Sequence, residues 1–281
     1  MPRWNTVAIV GVGLLGGSIG LGLRQRGLAK QVVGIGRRRA TLDSARRLGA
    51  ITTSTTLLDR GVHDADVVVV CTPVDQIADH VKAAAACCPQ GCLLTDVGST
   101  KGRIVSQLDG GLPAGTCFIG SHPLAGSEKR GVAAADGDLL AGRVVVLTPI
   151  RGTEPKARRA ATTFWQSLGA RVVEMSPAEH DAALAFTSHL PHAVAVALAL
   201  AVPAADLALA AGGLRDTTRI AAGDAEIWTQ ILLDNRENVA ATLEQFDASL
   251  ADLREALATA DRRQLKRILT QAKRKRDALG S

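Results

Sequence analysis

Tyrosine is absent from the 281-residue sequence, and aromatic residues make up only 2% of it. Proteins that bind RNA or single-stranded DNA by base stacking need aromatic rings, so this scarcity argues against nucleic acid as a partner. Apolar residues still make up 47% of the chain, which is ample for a core of alanine, valine, leucine and isoleucine. The composition therefore predicts a soluble globular protein.

Cysteine is also scarce, and long hydrophobic runs are missing. The five cysteines show no paired spacing of the kind that binds zinc, so we expect free thiols and no bound metal. No signal peptide opens the chain, and the most hydrophobic stretch, Ala193–Val202, is too short to cross a bilayer and predicts a buried helix. We expect a cytoplasmic protein with no membrane partner. Its net charge of +6 suits an anionic ligand or a solvated surface equally well.

Short apolar runs recur up to about residue 175, and segments with helical spacing separate several of them. Near-continuous valine and isoleucine predict strands buried on both faces, as in a parallel sheet covered by helices. The runs are 6–10, 31–35, 66–71, 92–97, 117–121, 144–148 and 171–175. Alternating strands and helices predict an α/β fold with a Rossmann-type, doubly wound, mainly parallel sheet.

The pattern changes at Ser176, which with Pro177 and Glu179 forms a helix-start signature. No strand-like run follows, and helical patterns extend to the end with breaks expected near Pro191, Pro203 and Gly212. We therefore predict a dinucleotide-binding domain over 1–175 and an all-helical domain over 176–281 that binds substrate. Apolar stripes over 225–278 suit packing against a second subunit, giving a homodimer, or packing within the chain.

A glycine-rich loop follows the first predicted strand. In the pattern Gly-x-Gly-x-x-Gly, Gly11 permits a tight turn, Gly13 lets the backbone approach a pyrophosphate, and Gly16 lets helix and strand pack closely. The intervening Leu14 and Leu15 open a helix whose N-terminus faces the phosphates. At a first strand–helix junction this pattern predicts a dinucleotide site.

The end of the second predicted strand distinguishes NAD from NADP. NAD enzymes usually place a carboxylate about 20 residues after the glycine pattern, to bind the ribose hydroxyls. That position is Gly36 here, and arginines follow it. Because guanidinium groups bind a 2′-phosphate, we predict that Arg37 and Arg38 favour NADP as cofactor, with NAD possible.

Two later strand ends point toward the same cofactor crevice, because ligands of open α/β sheets lie beyond the carboxyl ends of strands. Thr72 and Pro73 follow the third run, and Ser99 and Lys101 follow the fourth. We expect Thr72 and Ser99 to contact the nicotinamide side and Lys101 to add positive charge, although all are also ordinary turn or cap residues.

Several motifs occur in one order along the chain and together resemble the prephenate/arogenate dehydrogenase family of tyrosine biosynthesis. They are Gly-x-Gly-Leu-x-Gly-Gly-Ser at 11–18, Asp-Val-Gly-Ser-x-Lys at 96–101, His-Pro-Leu-Ala-Gly-Ser-Glu at 122–128, Ser-His-Leu-Pro-His at 188–192, and Arg-Asp-Thr-Thr-Arg at 215–219 followed by Trp228. The resemblance covers about residues 5–275, nearly the whole chain.

The resemblance implies an oxidative decarboxylation. Prephenate loses a hydride from ring C4 to the nicotinamide and carbon dioxide from ring C1, which leaves 4-hydroxyphenylpyruvate. By the same resemblance, His122 takes the proton of the ring hydroxyl, and Ser99 orients that histidine and the nicotinamide. Arogenate, which would give tyrosine directly, is the alternative substrate, and Glu128 is a candidate partner for its ammonium group.

The two carboxylates of the substrate require cations from the helical domain, which places the site between domains. The resemblance makes Arg219 the main partner of the ring carboxylate and Arg215 its assistant, four residues away and on the same face of any helix there. It also makes His189 and His192 a substrate-facing pair. The other histidines match no family motif, and we interpret them as surface or capping residues: His63, His80 and His180.

Two other classes share the glycine loop. A 3-hydroxyacid or 6-phosphogluconate-type dehydrogenase usually relies on a lysine in its helical domain, but the sequence has none over 172–264. A non-catalytic NADP-binding sensor would not need His122, Arg219 and the histidine pair together. Formation of reduced cofactor with prephenate, followed at 340 nm, distinguishes these classes.

Overall fold

The computed structural model describes residues 3–108, 110–113, 115–125, 129–150 and 152–280. Within them, eight strands form one sheet in the order β3-β2-β1-β4-β5-β6-β7-β8. The strands are β1 (Trp4–Val10), β2 (Ala29–Ile35), β3 (Thr53–Thr55), β4 (Val67–Val70), β5 (Leu93–Asp96), β6 (Cys117–Pro123), β7 (Val144–Thr148) and β8 (Arg171–Glu174). Neighbouring strands are parallel except β6 and β7, which are antiparallel. The Rossmann-type fold class predicted from the sequence is confirmed.

The hydrophobic core lies on both faces of the sheet, as the apolar runs predict. Alternate valines of β4 belong to opposite clusters, with Val67 and Val69 in one and Val68 and Val70 in the other. Helices cover both faces and hide these side chains from water, which is the main stabilising contribution of such a sheet. The helices are α1 (Leu14–Gln25), α2 (Arg39–Arg47), α3 (Leu58–Val62), α4 (Val74–Ala85), α5 (Gly102–Leu108) and α6 (Pro155–Ser167).

Strand β3 is an addition to the predicted strands. It is three residues long, lies at the edge of the sheet and pairs with β2 through Thr53, Ser54 and Thr55. A short polar segment with no apolar alternation gives no strand signal, and its structure depends on the neighbouring strand rather than on its own side chains.

The described residues after Met175 form helices and turns without strands, as predicted. The helices are α7 (Pro177–Leu184), α8 (Leu190–Ala201), α9 (Gly212–Thr218), α10 (Ala225–Asp234), α11 (Arg236–Ala258) and α12 (Arg262–Asp277). The predicted start of α7 is confirmed: the Ser176 hydroxyl accepts from the backbone N–H of Glu179, and the Glu179 carboxylate accepts from the N–H of Ser176.

The predicted break near Pro191 is wrong. A π-helical segment, Ala185–His189, joins α7 to α8, so the chain is helical from Pro177 to Ala201. Proline lacks the N–H that an α-helix requires, and a wider turn just before it absorbs that loss without ending the helix.

The prediction for Ala193–Val202 also needs correction. The stretch belongs to that 25-residue helix, which is long and apolar enough to cross a membrane, although only 28% of its most apolar window is buried. In α8 the buried residues are His192 and Ala195, and Leu200 is 82% exposed. The same helix carries buried polar side chains that hydrogen-bond to both domains, so we interpret it as part of the folded protein. Its exposed apolar face is a candidate contact surface.

Candidate active site

The glycine loop between β1 and α1 has the geometry that a dinucleotide requires. Gly11 adopts a φ of +93°, and a Cβ there would lie 2.7 Å from the carbonyl oxygen of Cys71. A Cβ on Gly16 would collide with the Gly11 carbonyl, whereas a Cβ on Gly13 would meet nothing within 4 Å. Gly11 and Gly16 are therefore fixed by the turn, and Gly13 borders the open space that a pyrophosphate would fill.

A cavity of about 640 Å³ opens beside this loop, between the sheet and the helical domain. Its sheet side consists of the loop and the carboxyl ends of β4 and β5, which include Leu14, Leu15, Thr72, Pro73 and Ser99. Its helical side includes Arg219, Ile220, Gly223, Asp224 and Trp228. The predicted location between the two domains therefore matches the structure.

A connected groove of about 290 Å³ extends over the end of β2. Arg37 and Arg38 line it, together with Gly36, and its described lining contains no aspartate or glutamate. His80 lines it too, and its Nδ1 lies 3.3 Å from the Thr72 hydroxyl. The groove therefore has the charge that a 2′-phosphate favours, as the sequence predicts.

His122 is partly exposed at the carboxyl end of β6, and its partner comes from the helical domain. Its Nδ1 lies 2.9 Å from Nε2 of His180, whose Nδ1 lies 2.7 Å from Oδ1 of Asp181. His180 is fully buried, so its interpretation as a surface or capping residue is wrong. Helix α7 supplies both His180 and Asp181, and the chain of hydrogen bonds connects the two domains.

Asp181 also holds the segment that follows β5. Its Oδ1 accepts from the backbone N–H of Lys101 at 2.9 Å, and its Oδ2 accepts from the N–H of Gly102 at 2.8 Å. Burial alone would raise the pKa of Asp181, but its hydrogen bonds from His180 and these amides hold the pKa below its usual value. Asp181 is therefore an ionised acceptor at neutral pH.

Lys101 does not face the cavity, contrary to the expectation that it adds charge there. Its side chain is fully buried, pairs with the Asp96 carboxylate and donates to the carbonyl of Ser121 at 2.9 Å. Burial lowers the pKa of Lys101, and Asp96 opposes that shift. Asp96 also accepts from the backbone N–H of Ser121, so this buried pair fixes the strand end that carries His122.

The pKa of His122 is held well below its ordinary value. Burial is the largest cause, and the neighbouring His180, Lys101 and His189 add to it. A histidine that stays neutral at physiological pH has a free ring nitrogen, which is what a general base requires. Ser99 lines the cavity as predicted, but Nδ1 of His122 is held by His180.

His189 and His192 pack around Trp228 rather than on the described cavity wall. His192 stacks on the indole with ring centroids 3.5 Å apart, and His189 meets it edge-on at 6.2 Å. Burial lowers the pKa of His192 and lowers that of His189 to about 4. Nδ1 of His192 is buried with no hydrogen-bond partner in the part of the chain that the structure describes.

Asn235 is a buried residue of the helical domain that belongs to no sequence motif. Its side-chain amide donates to Nδ1 of His189 at 3.0 Å and to the carbonyl of Asp181 at 2.7 Å. Nδ1 of His189 is therefore the acceptor, which leaves the proton of this neutral ring on Nε2. Because Asn235 belongs to no motif, only its burial indicates that it is part of the site.

Of the two arginines predicted to bind substrate, one lines the cavity and the other does not. Arg219 lines the cavity, whereas Arg215 is exposed and lies outside the described lining. Helix α9 ends at Thr218, and Arg219 begins a 3₁₀ turn. Lys129 and Arg130 line the cavity as well, and Arg130 pairs with Asp224 across it. Glu128 lies outside the described residues.

Two family models match consecutive parts of the chain. The model described as prephenate dehydrogenase, nucleotide-binding domain, matches residues 19–174, and the model described as prephenate dehydrogenase, dimerization domain, matches residues 176–271. Prephenate dehydrogenase of Bacillus subtilis is 34% identical over 98% of this chain and 76% of its own length. Cyclohexadienyl dehydrogenase of Zymomonas mobilis is 32% identical over 93% of this chain and 91% of its own length.

Solved structures agree with these matches. Prephenate dehydrogenase from Aquifex aeolicus, in complex with hydroxyphenyl propionate and NAD+, is 34% identical with a TM-score of 0.90, over 98% of each chain. Synechocystis arogenate dehydrogenase is 28% identical with a TM-score of 0.83, over 98% of this chain and 99% of its own.

Proposed function

This chain belongs to the prephenate dehydrogenase family, and we propose that it converts prephenate to 4-hydroxyphenylpyruvate with NADP as its preferred hydride acceptor. The observation that carries the proposal is His122 at the carboxyl end of β6, which contacts His180 of the helical domain and has a pKa held well below its ordinary value. The enzyme is an oxidoreductase, and a soluble, cytoplasmic location follows from the proposed biosynthetic role. Arogenate is the alternative substrate.

The glycine loop and cavity fit the dinucleotide. Gly13 leaves room for the pyrophosphate, and the strand-end residues Thr72, Pro73 and Ser99 border the space for the nicotinamide. When bound, the oxidised nicotinamide supplies the acceptor for the hydride. The remaining steps depend on how this chain binds the ring and where it moves the proton.

His122 performs the proton transfer in this mechanism. Its Nε2 accepts the proton of the ring hydroxyl as the hydride leaves C4, and the C1 carboxylate departs as carbon dioxide. The electron pair of the broken C–C bond completes the aromatic ring, which supplies the driving force, and the resulting phenolate oxygen takes the proton back from His122. The protein therefore has to orient the ring, and a positioned base contributes roughly 10²–10⁴-fold to the rate.

The substrate's negative charges are bound by the cationic wall of the cleft. Arg219 binds the ring carboxylate, and His189 and His192, packed behind Trp228, support the opposite side of the substrate. A guanidinium group can form two parallel, charge-assisted hydrogen bonds with a carboxylate, so it orients the substrate ring as well as binding it.

The preference for NADP rests on Arg37 and Arg38 in a groove whose described lining holds no carboxylate. Arg37→Ala and Arg38→Ala should each raise the KM for NADP about tenfold, the effect of losing about 1.4 kcal/mol of charged hydrogen bonding, and leave the KM for NAD unchanged. Arg39→Ala, outside the groove, is the matched control. A wild-type kcat/KM that is higher with NAD than with NADP would contradict the preference.

The function itself is tested by side-by-side kinetics. Purified enzyme is assayed at 340 nm with prephenate and with arogenate, each in the presence of NADP or NAD. We expect the highest kcat/KM for prephenate with NADP. No reduction of either cofactor with either substrate would refute the proposal, and a higher value for arogenate would assign the alternative.

We also propose that the helical domain forms a homodimer. Large apolar side chains are exposed on it, with Leu200 and Leu209 each 82% accessible, and the matching family model describes a dimerization domain. Exposed apolar surface of this kind is typical of a protein–protein interface.

A further inference from the structure

His122, His180 and Asp181 form a hydrogen-bonded chain whose proton positions follow from one end. Asp181 is ionised and accepts two backbone N–H groups besides His180, so it has no proton to give. The proton shared over 2.7 Å therefore belongs to Nδ1 of His180. In neutral His180 the other nitrogen, Nε2, is then an acceptor.

The same reasoning fixes the tautomer of His122. Because Nε2 of His180 accepts, Nδ1 of His122 must donate across their 2.9 Å contact. Neutral His122 then has its lone pair on Nε2, on the opposite side of the ring. That nitrogen is the one left for the substrate.

We propose that His180, oriented by Asp181, is a positioning residue that keeps His122 in the tautomer with a free Nε2 and stabilises the imidazolium formed when His122 takes a proton. The proposal rests on the proposed function, because the substrate hydroxyl is the source of that proton. When Nε2 gains it, Nδ1–H remains bonded to His180, and the positive charge is stabilised through His180 by the Asp181 carboxylate. An aspartate that orients a catalytic histidine in a serine protease has a comparable role.

The other charged or titratable groups near His122 are hydrogen-bonded to other partners, so His180 is the group that bonds to Nδ1 of His122. From the segment after β5, Lys101 faces the pair, but its ammonium is bound to Asp96 and to the carbonyl of Ser121. From the π-helical segment, His189 also faces the pair, and its Nδ1 is occupied by the Asn235 amide. From α7 itself the ionised group is Asp181.

The first test replaces His180. His180→Leu should lower kcat for prephenate roughly 10²-fold while the KM for prephenate and for NADP stays within about threefold. His180→Gln, whose carbonyl still accepts from Nδ1 of His122, should recover about a tenth of the wild-type rate. Leu184→Ala, a buried apolar change on the same helix, controls for destabilisation and should keep the wild-type kcat despite a lower Tm.

The second test measures the tautomer directly, by ¹⁵N NMR of protein labelled at histidine, with His122 assigned by its loss in His122→Asn. At neutral pH we expect Nδ1 of His122 to be protonated and Nε2 to be bare. Asp181→Asn removes the ionised acceptor, because its NH2 group must face the backbone N–H of Lys101 or of Gly102 in either orientation, and it should lower kcat and reduce the fraction of His122 protonated at Nδ1.

The outcomes distinguish a failure of this inference from a failure of the proposed function. If wild-type enzyme oxidises prephenate but His180→Leu keeps its kcat within threefold, or if His122 carries its proton on Nε2, the inference is wrong. If wild-type enzyme does not oxidise prephenate, the proposed function is wrong, and the NMR result still decides whether His180 sets the tautomer.

Discussion

At the scale of single residues, burial keeps His122 neutral, and that determines what it can do. Its pKa is lowered mainly by burial and then by His180, Lys101 and His189, so it stays unprotonated well below its ordinary range. The acid limb of kcat/KM against pH should therefore fall below about 6.5, the usual histidine pKa. A pH profile with prephenate measures it, and a limb at or above pH 7 would contradict the expectation.

Replacing the base gives a more direct prediction. His122→Asn removes the proposed proton acceptor and should lower kcat roughly 10²–10⁴-fold with little change in KM for prephenate, measured at 340 nm. His63→Asn makes the same change at an exposed histidine and should be neutral. An unchanged kcat in His122→Asn would remove this residue from the mechanism.

The two arginines of the Arg-Asp-Thr-Thr-Arg motif should differ in their effects. Arg219→Ala should raise the KM for prephenate about tenfold or more, because a charged hydrogen bond contributes roughly 1.5–3 kcal/mol. Arg215→Ala should have a smaller effect, since Arg215 lies outside the cavity lining. Equal increases in KM would restore the shared role that the sequence predicts for them.

Site residues that belong to contiguous motifs are predictable from the sequence, whereas those that the fold brings together from distant positions are not. The glycine loop, Ser99 and Arg219 all line the predicted cavity, because each follows a recognisable strand or motif. The contact of His180 with His122 is not predictable because the two residues are 58 positions apart in sequence, and no local pattern indicates that contact. Within α7, two adjacent polar residues, His180 and Asp181, are both buried, which indicates a functional or structural role. That indication requires the structure, because the sequence does not show their burial.

At the scale of elements, the start of α7 supports the site because this helix supplies His180 and Asp181. Ser176→Ala removes the hydroxyl that accepts from Glu179 and should lower the free energy of unfolding by about 1 kcal/mol. Urea denaturation measures the loss, and Ser249→Ala, an exposed mid-helix serine, is the control. An equal loss of unfolding free energy in both variants would mean that the Ser176 cap does not contribute to stability.

The continuation of the helix through Pro191 explains why element boundaries were harder to predict than element types. A proline normally ends a helix, and the π-helical turn that avoids this depends on packing against α11 and Trp228 rather than on local sequence. Strand β3 is similar, because its neighbour β2 defines it. Strands with continuous valine runs, such as β4, needed no such context.

At the scale of the whole molecule, the exposed apolar residues of the helical domain predict assembly. Leu200→Glu combined with Leu209→Glu should convert the proposed dimer to a monomer by light scattering, because burying two carboxylates opposes association. Leu48→Glu, on an exposed apolar side chain of the nucleotide-binding domain, should leave the dimer intact. A wild-type monomer at micromolar concentration would overturn the assembly.

Buried neutral histidines also make the fold acid-sensitive. Burial lowers the pKa of His189 to about 4. Below about pH 6.5, His189 therefore binds a proton in the unfolded chain but not in the folded chain. The free energy of unfolding should therefore fall as pH drops from about 6.5 toward 4, by up to about 1.4 kcal/mol per pH unit for this group. His189→Gln, which still accepts from Asn235, should flatten the slope in urea titrations at several pH values. An identical slope would rule out His189 as the cause.

The Asp181 carboxylate binds the backbone of residues 101 and 102 in one domain while its own helix belongs to the other. The two halves of the protein are therefore not interchangeable modules, although the boundary near residue 176 invites recombination. A chimera that joins the nucleotide-binding half of one relative to the helical half of another must preserve this junction to keep a working base. Cofactor preference, which we propose to depend on residues 37 and 38, is the property that we expect engineering to exchange on its own.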